Sequence, residues 1–397
     1  MKILVINCGS SSLKYQLFNM DNEEVMAKGL VERIGIDGSR LVQEVGEEEW
    51  VNETAIPDHN TAVKLVFAAL TDDKQGVIHS MEEIDAVGHR VVHGGEKFTE
   101  STLVDEDVIA AIEQVIPFSP LHNPANLQGI KAAQEALPGK PNVAVFDTAF
   151  HQTMPKENYM YALPYDLYSD HGIRRYGFHG TSHYFVTLRA SELLNIPVDE
   201  LNIISCHLGN GSSVTAVKNG KSYITSMGQT PLAGVPMGTR CGDIDPAIVT
   251  FMQTRLGKSA EEVDTILNKE SGVAGVSGVS SDFRDLENAS DEGNERAHLA
   301  LDMFHARVRE TVAAYAADLG RVDAITFTGG IGENGAKDRK AICKGLEIMG
   351  VKLNDAVNEK RKPKEKKISA DDSAIAVWVV PTNEELMIAR DTMRLSK

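Results

Sequence analysis

The segment ILVINCGSSSLKYQLF, from Ile3 to Phe18, is the part of the sequence that decides the fold. It joins two β-type runs through a turn of glycine and serine. The segment IISCHLGNGSSVTAVKNGK, from Ile203 to Lys221, repeats this arrangement about half a chain later, and Asn7 aligns with His207. In the second copy, Asn219-Gly220 indicates a type I′ hairpin turn. A repeat at this distance predicts two related halves.

Further strands of the buried type each end in glycine or polar residues. They span Ile84–Val92, Val143–Phe146, Ala324–Thr328 and Ala374–Val380. Apolar residues recur at a spacing of three to four between Ala297 and Leu319, which predicts a helix. Strands that alternate with helices predict an α/β fold with largely parallel sheets. Ligands of such sheets bind beyond the carboxyl ends of the strands.

Bulk composition limits the class of protein. A chain of 397 residues, 42% hydrophobic and 24% charged, is typical of a globular protein with two domains. A formal net charge of −17 argues against nucleic acid or an anionic membrane as a partner. No apolar run approaches the roughly 18 residues of a membrane span. Four single cysteines without a Cys-x-x-Cys pair, and a first apolar run too short for a signal peptide, predict a cytoplasmic protein.

Three turns rich in small residues are candidates for phosphate binding, because they expose backbone N–H groups. They are Asn7–Lys14, His207–Ser213 and Thr328–Asn334. Each turn alone is equally consistent with an ordinary connection, and none has the GxxxxGK[ST] spacing of a Walker loop. Matching turns in two halves favour a cleft that binds a polyphosphate from both sides. The third turn predicts nucleotide binding before a helix that begins near Ala336.

Three cationic or titratable side chains are candidates for contact with an anion. Arg90 lies in an otherwise apolar strand and therefore needs either a buried carboxylate or an anionic ligand. Arg240 lies in PMGTRCGDIDP, where Asp245-Pro246 indicates the start of a helix. His179 lies in YGFHGTSH; a lone histidine is more often structural, but the glycines on both sides make a functional role a second interpretation.

The last candidate cluster is Thr382-Asn383-Glu384-Glu385, which follows the final strand. Thr382 and Glu385 fit a capping box. Glu384 is then left without a structural role, and we expect it to contact Mg²⁺ directly or through water.

Taken together, the motifs VINCGSSSLK, SCHLGNGSS, YGFHGTSH, MGTRCGDIDP, FTGGIGEN and PTNEEL resemble the acetate kinase family in order and along the whole chain. The resemblance implies an α/β fold with two duplicated actin-like (ribonuclease H-like) domains around a central cleft. Residues 1–150, completed by a C-terminal helix at 385–397, would form one domain. Residues 151–384 would form the other, with nucleotide binding and dimerisation. Members of the family are usually homodimers.

The resemblance also implies an activity: reversible transfer of the γ-phosphoryl group of ATP to acetate, which gives acetyl phosphate and ADP. Mg²⁺ would be held by Asn7 and Glu384, with Mn²⁺ as an accepted alternative. Asp147 would be the proton donor or acceptor, and His179 and Arg240 would stabilise the transition state. The substrate contacts would be Arg90 for the carboxylate and Val92, Leu121, Phe178 and Pro231 for the methyl group. The nucleotide contacts would be Lys14, His207, Leu208, Gly209, Asn210, Gly211, Asp282, Phe283, Arg284, Gly330, Ile331, Gly332, Glu333 and Asn334.

The chemistry of the reaction bears on Asp147. A carboxylate with a reference pKa of roughly 4 is already ionised at neutral pH, so direct in-line transfer leaves Asp147 no proton to take. It can instead orient Arg90 or a metal-bound water. Two alternative functions stay open: a propionate or butyrate kinase of the same superfamily, and a non-metabolic ATPase of the actin or chaperone type. The asparagine at position 7, where such ATPases have aspartate, argues against the second.

Overall fold

The computed structural model describes residues 1–120 and 122–397. The chain forms two compact units. Unit 1 comprises Met1–Phe150 together with Asn383–Lys397, and unit 2 comprises His151–Thr382.

Strands and helices alternate along much of the chain. The strands are β1 Lys2–Cys8, β2 Ser12–Asn19, β3 Glu24–Glu32, β4 Arg40–Val45, β5 Glu48–Glu53, β6 Ala86–Val91, β7 Thr102–Leu103, β8 Asn142–Phe146, β9 Ile203–Leu208, β10 Ser212–Lys218, β11 Lys221–Thr225, β12 Ala324–Thr328, β13 Lys366–Lys367 and β14 Ala376–Val379. The α-helices are α1 His59–Leu70, α2 Glu106–Gln114, α3 Asn123–Ala136, α4 Lys156–Tyr159, α5 Tyr165–Ser169, α6 Gly180–Leu194, α7 Ala247–Arg255, α8 Ala260–Lys269, α9 Gly272–Ser277, α10 Phe283–Asp291, α11 Glu295–Leu319, α12 Gly329–Asn334, α13 Ala336–Cys343, α14 Asp355–Asn358 and α15 Glu384–Leu395. Short 3₁₀ helices span Met81–Glu83, Ile116–Phe118, Ala149–Thr153, Val198–Glu200 and Leu346–Met349.

The two units share one sheet topology. In the described residues the strand order is β5-β4-β3-β2-β1-β6-β8-β7 in unit 1 and β11-β10-β9-β12-β14-β13 in unit 2. In both, an antiparallel meander (β1 to β3, or β9 to β11) is continued by two parallel strands (β6 and β8, or β12 and β14). Asn7 and His207 are the penultimate residues of β1 and β9. The prediction of a duplicated α/β fold is confirmed.

The expectation of largely parallel sheets is wrong for both units, because most of the described strand pairs in each sheet are antiparallel. Unit 1 shows the reason most clearly. Consecutive strands from β1 to β5 pair antiparallel, because connections of only a few residues can reverse a chain but cannot carry it back to begin a parallel strand. The parallel pairing is confined to β1, β6 and β8, whose connections contain helices. In unit 2 the two-residue turn between β10 and β11 is the predicted one, since Asn219 and Gly220 have φ values of 51° and 72°.

The C-terminal helix α15 belongs to unit 1 and packs on β1, β6 and β8. Its close approach to β6 requires Gly88. A Cβ atom at Gly88 would lie 2.3 Å from Thr392 Oγ1 and 2.7 Å from Ile388 Cγ2. A larger residue there would push the helix away from the sheet and displace Glu384 at its first position.

The core of unit 2 lies between its sheet and the long helix α11. Phe304, Val308 and Val312 of this helix are fully buried in one cluster with Leu208 and Phe327 of the sheet. This packing holds the carboxyl ends of β9 and β12 side by side. No helix within residues 1–120 and 122–397 is long and apolar enough to cross a membrane.

Candidate active site

Arg90 in unit 1 has a buried carboxylate as its partner. Arg90 Nε donates to Asp147 Oδ1 at 3.0 Å and Nη2 donates to Oδ2 at 2.6 Å, and Asp147 is 1% exposed. Arg90 Nη1 also donates to Asn7 Oδ1 at 3.3 Å. These contacts form because β6 lies between β1 and β8, so that the three residues stand at neighbouring strand ends. They leave one N–H on each terminal nitrogen of Arg90 for a carboxylate ligand.

The carboxylates around Arg90 perturb one another. Burial is the largest cause that raises the pKa of Glu384 to about 7; the charge of Arg90 opposes it, the charges of Asp147 and Glu385 add to it, and Lys14 lowers it. Burial lowers the pKa of Arg90, but the charge and hydrogen bonds of Asp147 outweigh it, so the net shift is upward. The charged form of Glu384 is therefore disfavoured, mainly because the carboxyl is buried, and Arg90 compensates only in part. Such surroundings favour a bound cation.

Glu384 reaches this position as the first residue of α15. The side chain of Asn383 caps the helix, since its Oδ1 accepts from the backbone N–H of Leu386 at 3.1 Å. The predicted capping box of Thr382 and Glu385 is therefore wrong. Asparagine is as good a cap as threonine, and the helix begins one residue later than the box requires. Thr382 Oγ1 instead forms a hydrogen bond with Ser182 Oγ at 2.8 Å.

Other predicted residues of unit 1 lie around the same strand ends. Lys14 on β2 pairs in register with Asn7 on β1 and is exposed. Val92 follows β6 and is 4% exposed, and its backbone N–H donates to Asn126 Oδ1 at 3.0 Å. Asn126 Nδ2 in turn donates to the carbonyl of Cys8 at 2.8 Å, which ties the ends of β1 and β6 together. Leu121, predicted to contact the methyl group, lies outside the described residues.

His179 in unit 2 has a left-handed backbone, with φ 57° and ψ 23°, immediately before α6. The carbonyl of the preceding Phe178 accepts from His151 Nε2 at 2.9 Å, and Ser222 Oγ lies 2.8 Å from His151 Nδ1. Because a carbonyl only accepts, Nε2 of His151 carries the proton. Burial lowers the pKa of His151 to about 4, so this ring is neutral near pH 7. His151 therefore anchors the uncommon backbone conformation at His179.

The His179 ring and Arg240 point to the same place beside Gly211. A Cβ atom at Gly211 would lie 3.5 Å from His179 Nε2 and 3.5 Å from Arg240 Nη1. The ring of His179 stacks on that of His207, with centroids 4.1 Å apart and planes at 22°. Arg240 Nη1 donates to the carbonyl of Pro231 at 3.1 Å.

Arg240 differs from Arg90 in its electrostatic surroundings. Burial lowers the pKa of Arg240, and among the described residues no carboxylate forms an ion pair with it. A partly buried guanidinium without a counter-charge favours an anionic ligand.

Two glycine turns of unit 2 lie next to each other. A Cβ atom at Gly209 would lie 3.9 Å from the backbone nitrogen of Gly330, and a Cβ atom at Gly330 would have no described atom within 4 Å. The backbone is therefore accessible at Gly330. The predicted helix at Ala336 is confirmed as α13, but the turn before it is itself helical, as α12.

Several predicted nucleotide contacts have side chains that serve the fold. Leu208 is 0% exposed, Phe283 packs edge-on against Phe304 at 4.8 Å between centroids, and Ile331 packs on the same core. Gly332 is buried inside α12. Only the backbone of these residues is then suited to contact a ligand.

Glu333 and Asn334 are also engaged within unit 2. Glu333 Oε1 accepts from the backbone N–H groups of Gly329 at 3.1 Å and Thr382 at 3.2 Å, which joins the ends of β12 and β14. Burial raises the pKa of Glu333. Asn334 Nδ2 donates to the carbonyl of Gly330 at 2.8 Å. Both side chains shape the turn.

Asn210, Asp282 and Arg284 remain candidates at the surface of unit 2. The carbonyl of Asn210 accepts from the backbone of Gly238 at 3.0 Å. Asp282 caps α10 and pairs with Arg284, whose side chain is 87% exposed. The hydrogen bonds and charge of Arg284 lower the pKa of Asp282 to about 2. Arg284 is therefore an exposed cation that is paired with Asp282.

Residues with a supporting role were missed in the sequence. Asn126 and His151 contact residues that are distant in sequence, so no local pattern indicates them. Ser213 belongs to a predicted turn, but its contact with His179 was not foreseen. His183 offered a signal, because it follows His179 by four residues, one helical turn on α6.

No group of three or more His, Cys, Asp or Glu side chains suited to a metal occurs in the described part of the chain. A metal at Asn7 and Glu384 would therefore take most of its ligands from phosphate and water, as Mg²⁺ commonly does.

Two units of this topology, with an arginine at a strand end in one and an arginine, a histidine and glycine turns in the other, define a phosphotransferase of the actin-like fold. Residues 2–390 match the Acetokinase family. The chain is 59% identical to an acetate kinase of Clostridium botulinum (strain Kyoto / Type A2) over the full length of both chains.

Solved structures agree with this similarity. The crystal structure of Porphyromonas gingivalis acetate kinase has a TM-score of 0.96 and 51% identity, with 100% of both chains covered. A propionate kinase from Francisella tularensis has a TM-score of 0.93 and 42% identity, with 99% of both chains covered. The chain belongs to the acetokinase family.

Proposed function

We propose that this protein is an acetate kinase, which transfers the γ-phosphoryl group of ATP reversibly to acetate and forms acetyl phosphate and ADP. The observation that carries the proposal is Arg240, a cation without a carboxylate partner, beside His179 Nε2 and the glycine turn at Gly211. This is the arrangement that a transferred phosphoryl group requires. Full-length similarity to acetate kinases gives independent support.

Arg90 binds the acetate carboxylate in this proposal. Its pairing with Asp147 leaves an N–H on each terminal nitrogen, which suits a carboxylate with two oxygens. The guanidinium offsets the negative charge of the nucleophile as it approaches the phosphoryl group. No general base is needed, because acetate is already ionised.

Asp147 positions Arg90 and does not exchange protons in this mechanism. Both of its oxygens accept hydrogen bonds from Arg90, and its side chain is 1% exposed. A carboxylate held in this way fixes the orientation of the guanidinium. This positioning role explains why an aspartate lies here. It requires no proton transfer by Asp147, and the reaction does not need one.

Arg240 and His179 stabilise the charge that develops on the equatorial oxygens of the phosphoryl group. In this proposal Arg90 binds the acetate carboxylate, so Arg240 and His179 are available for the phosphoryl group. His179 Nε2 and Arg240 Nη1 both lie beside Gly211. Donors fixed before the reaction stabilise the transition state without a cost of reorganisation.

Asn7 and Glu384 would hold Mg²⁺, or Mn²⁺ in its place. Both offer oxygen ligands, which these hard cations prefer. Burial and the nearby carboxylates raise the pKa of Glu384, and a bound divalent cation would stabilise its charged form. The bound cation would neutralise charge on the phosphates of ATP, and the protein contribution is to hold Glu384 at the start of α15.

The nucleotide contacts come from backbone and rim residues. The turns at Gly209–Gly211 and at Gly330 offer N–H groups, and Lys14 and Arg284 offer cations that can approach the phosphates. The remaining predicted contacts, namely His207, Leu208, Asn210, Asp282, Phe283, Ile331, Gly332, Glu333 and Asn334, would shape these turns or contact ATP through the backbone.

Val92 provides an apolar surface for the methyl group two residues beyond Arg90. The family resemblance also implies methyl-group contacts for Leu121, Phe178 and Pro231. A propionate kinase among the similar structures makes propionate the second candidate substrate. One methylene is worth only about 1–3 kcal/mol in such a pocket, so we expect both acids to react and acetate to be preferred.

Helix α7 supports a homodimer. None of its residues is buried, and Ile248 and Phe251 on it are 44% and 55% exposed, with Leu256 just after it at 59%. Apolar side chains in such a row are typical of an interface between subunits. Light scattering of wild type and of Phe251→Asp tests this: a dimer that becomes a monomer supports the interface, and an unchanged mass contradicts it.

We place the enzyme in the cytoplasm, where the free cysteines Cys8, Cys206, Cys241 and Cys343 suit reducing conditions. Acetyl phosphate is an activated acyl donor, so a following acyl transfer to a thiol would lead to acetyl-CoA.

Trapping acetyl phosphate as its hydroxamate tests the function directly. Purified protein with ATP, Mg²⁺ and acetate, propionate or butyrate should give hydroxamate with the highest kcat/KM for acetate. A higher kcat/KM for propionate would reassign the substrate. A rate of ATP hydrolysis that does not change when any of the acids is added would instead indicate an actin-like ATPase.

A further inference from the structure

Behind His179 lies a chain of hydrogen bonds that the mechanism has not used. Ser213 Oγ lies 2.9 Å from His179 Nδ1 and 2.8 Å from His183 Nε2. On the other side of that ring, His183 Nδ1 lies 2.9 Å from Ser205 Oγ. His183, Ser213 and Ser205 are all 0% exposed. We name these four residues the histidine–serine relay.

We propose that the histidine–serine relay fixes the tautomer of His179, so that its proton sits on Nε2 and is donated to the transferred phosphoryl group. The inference rests on the role proposed for His179. Ser213, His183 and Ser205 are then positioning residues that act through His179.

The neutrality of His183 gives the relay a direction. Burial lowers the pKa of His183 well below its ordinary value, and the nearby His151 and His207 lower it further. A neutral imidazole carries one N–H and one bare nitrogen. His183 must therefore donate to one of its two serines and accept from the other.

Ser205 determines which groups in the histidine–serine relay donate and which accept. Within the described residues its hydroxyl has His183 Nδ1 as its one hydrogen-bond partner. If His183 donated to Ser205, the buried hydroxyl proton would have no acceptor, which is costly. Ser205 therefore donates to Nδ1, and Nε2–H of His183 donates to Ser213.

The same reasoning continues to the active site. Ser213 accepts from His183 and has its own proton left for His179 Nδ1. Since Nδ1 accepts, the proton of a neutral His179 lies on Nε2. This is the nitrogen that stands with Arg240 Nη1 beside Gly211, each 3.5 Å from the position of a Cβ atom there. The relay thus aims a hydrogen-bond donor at the place where phosphoryl charge develops.

Two serine variants and a matched control test the relay through kinetics. Thr215 lies on the same strand as Ser213 and is 0% exposed, and in the described chain its hydroxyl forms a hydrogen bond with Thr225 Oγ1 at 2.8 Å but none with a histidine. A wrong histidine tautomer costs up to roughly 10⁴-fold in a serine protease. We expect Ser213→Ala to lower kcat roughly 10- to 100-fold, and Ser205→Ala several-fold, with little change in KM for ATP or acetate. Thr215→Val should keep the wild-type kcat.

The ¹⁵N chemical shifts of the histidine rings provide a readout that a merely structural role would not change. In wild type near pH 8 we expect His179 to be protonated on Nε2, and in Ser213→Ala to populate both tautomers. An Nδ1-protonated His179 in wild type would overturn the proposal, as would Ser205→Ala and Ser213→Ala enzymes as active as Thr215→Val. If Ser213→Ala fails to fold, the wild-type spectrum and Ser205→Ala decide. His179→Ala with normal turnover would reject the proposed role of His179, whereas the spectra would still report on the tautomer.

Discussion

The candidate site residues of the two units lie on related sheets but have different electrostatic surroundings. In unit 1, Arg90 is paired with Asp147, and Glu384 and Glu385 add further carboxylates. In unit 2, Arg240 has no carboxylate partner in the described chain, and burial lowers the pKa of His151 and of His183. The first environment suits a metal cation and an acceptor carboxylate, whereas the second suits a phosphoryl group. Duplication therefore preserved the scaffold while the charges diverged.

The largest effect should come from the unpaired arginine. We expect Arg240→Ala to lower kcat on the order of a thousandfold, because one arginine contact to phosphoryl charge contributes about this much in related chemistry. Thermal stability should change little, since no ion pair is lost. Arg307→Ala, which removes an exposed arginine on α11, is the control and should keep normal turnover. Near-normal turnover of Arg240→Ala would refute the claim that unit 2 provides the cation for the phosphoryl group.

The paired arginine gives the next test. Asp147→Asn should lower kcat/KM for acetate on the order of a hundredfold, because Arg90 loses the group that orients it, and removing one partner of a buried pair costs about 3–5 kcal/mol of stability. In a double-mutant cycle with Arg90→Ala the two effects should be far from additive.

The pH–rate profile separates this positioning role from proton transfer. If Asp147 only orients Arg90, the profile of Asp147→Asn should keep the shape of the wild type. Loss of one limb of the profile would instead assign Asp147 a proton.

The smallest effect concerns Glu384 and pH. Its pKa is about 7 in the folded state and 4.5 ordinarily. The folded protein therefore binds more protons between these values, and the contribution of Glu384 to stability falls as pH rises from about 4.5 to about 7. Without metal, Glu384→Gln should melt higher than wild type at pH 8, with the difference shrinking toward pH 5. Mg²⁺ should stabilise wild type more than the variant. Equal melting temperatures at both pH values would argue against a raised pKa of Glu384.

The sequence predicts the framework well because hairpins and buried strands are local patterns. The repeat of β1–β2 in β9–β10, the turn at Asn219-Gly220 and the helix from Ala336 all rest on residues close in sequence. The predicted cap of α15 was wrong by one residue. Thr382 and Asn383 are both good N-cap residues, and the packing of the helix determines which of them is the cap.

The candidate site was harder to predict where it depends on distant contacts. The sequence allowed either a carboxylate or a ligand as the partner of Arg90, and the pairing of β6 with β8 supplies Asp147. The contacts of Ser213 with two histidines join β10 to α6, and no pattern along the chain indicates them. Sequence motifs identified the residue types, whereas strand order determined their partners.

A transition-state analogue offers the most direct test of the division of charge between the units. Affinity for ADP alone, and for ADP with Mg²⁺, acetate and aluminium fluoride, should be measured by calorimetry for wild type and Arg240→Ala. The account predicts that the variant binds ADP normally but binds the analogue complex weaker by about the factor lost in kcat. Equal losses for both ligands would show that Arg240 binds the ground state and would contradict the account.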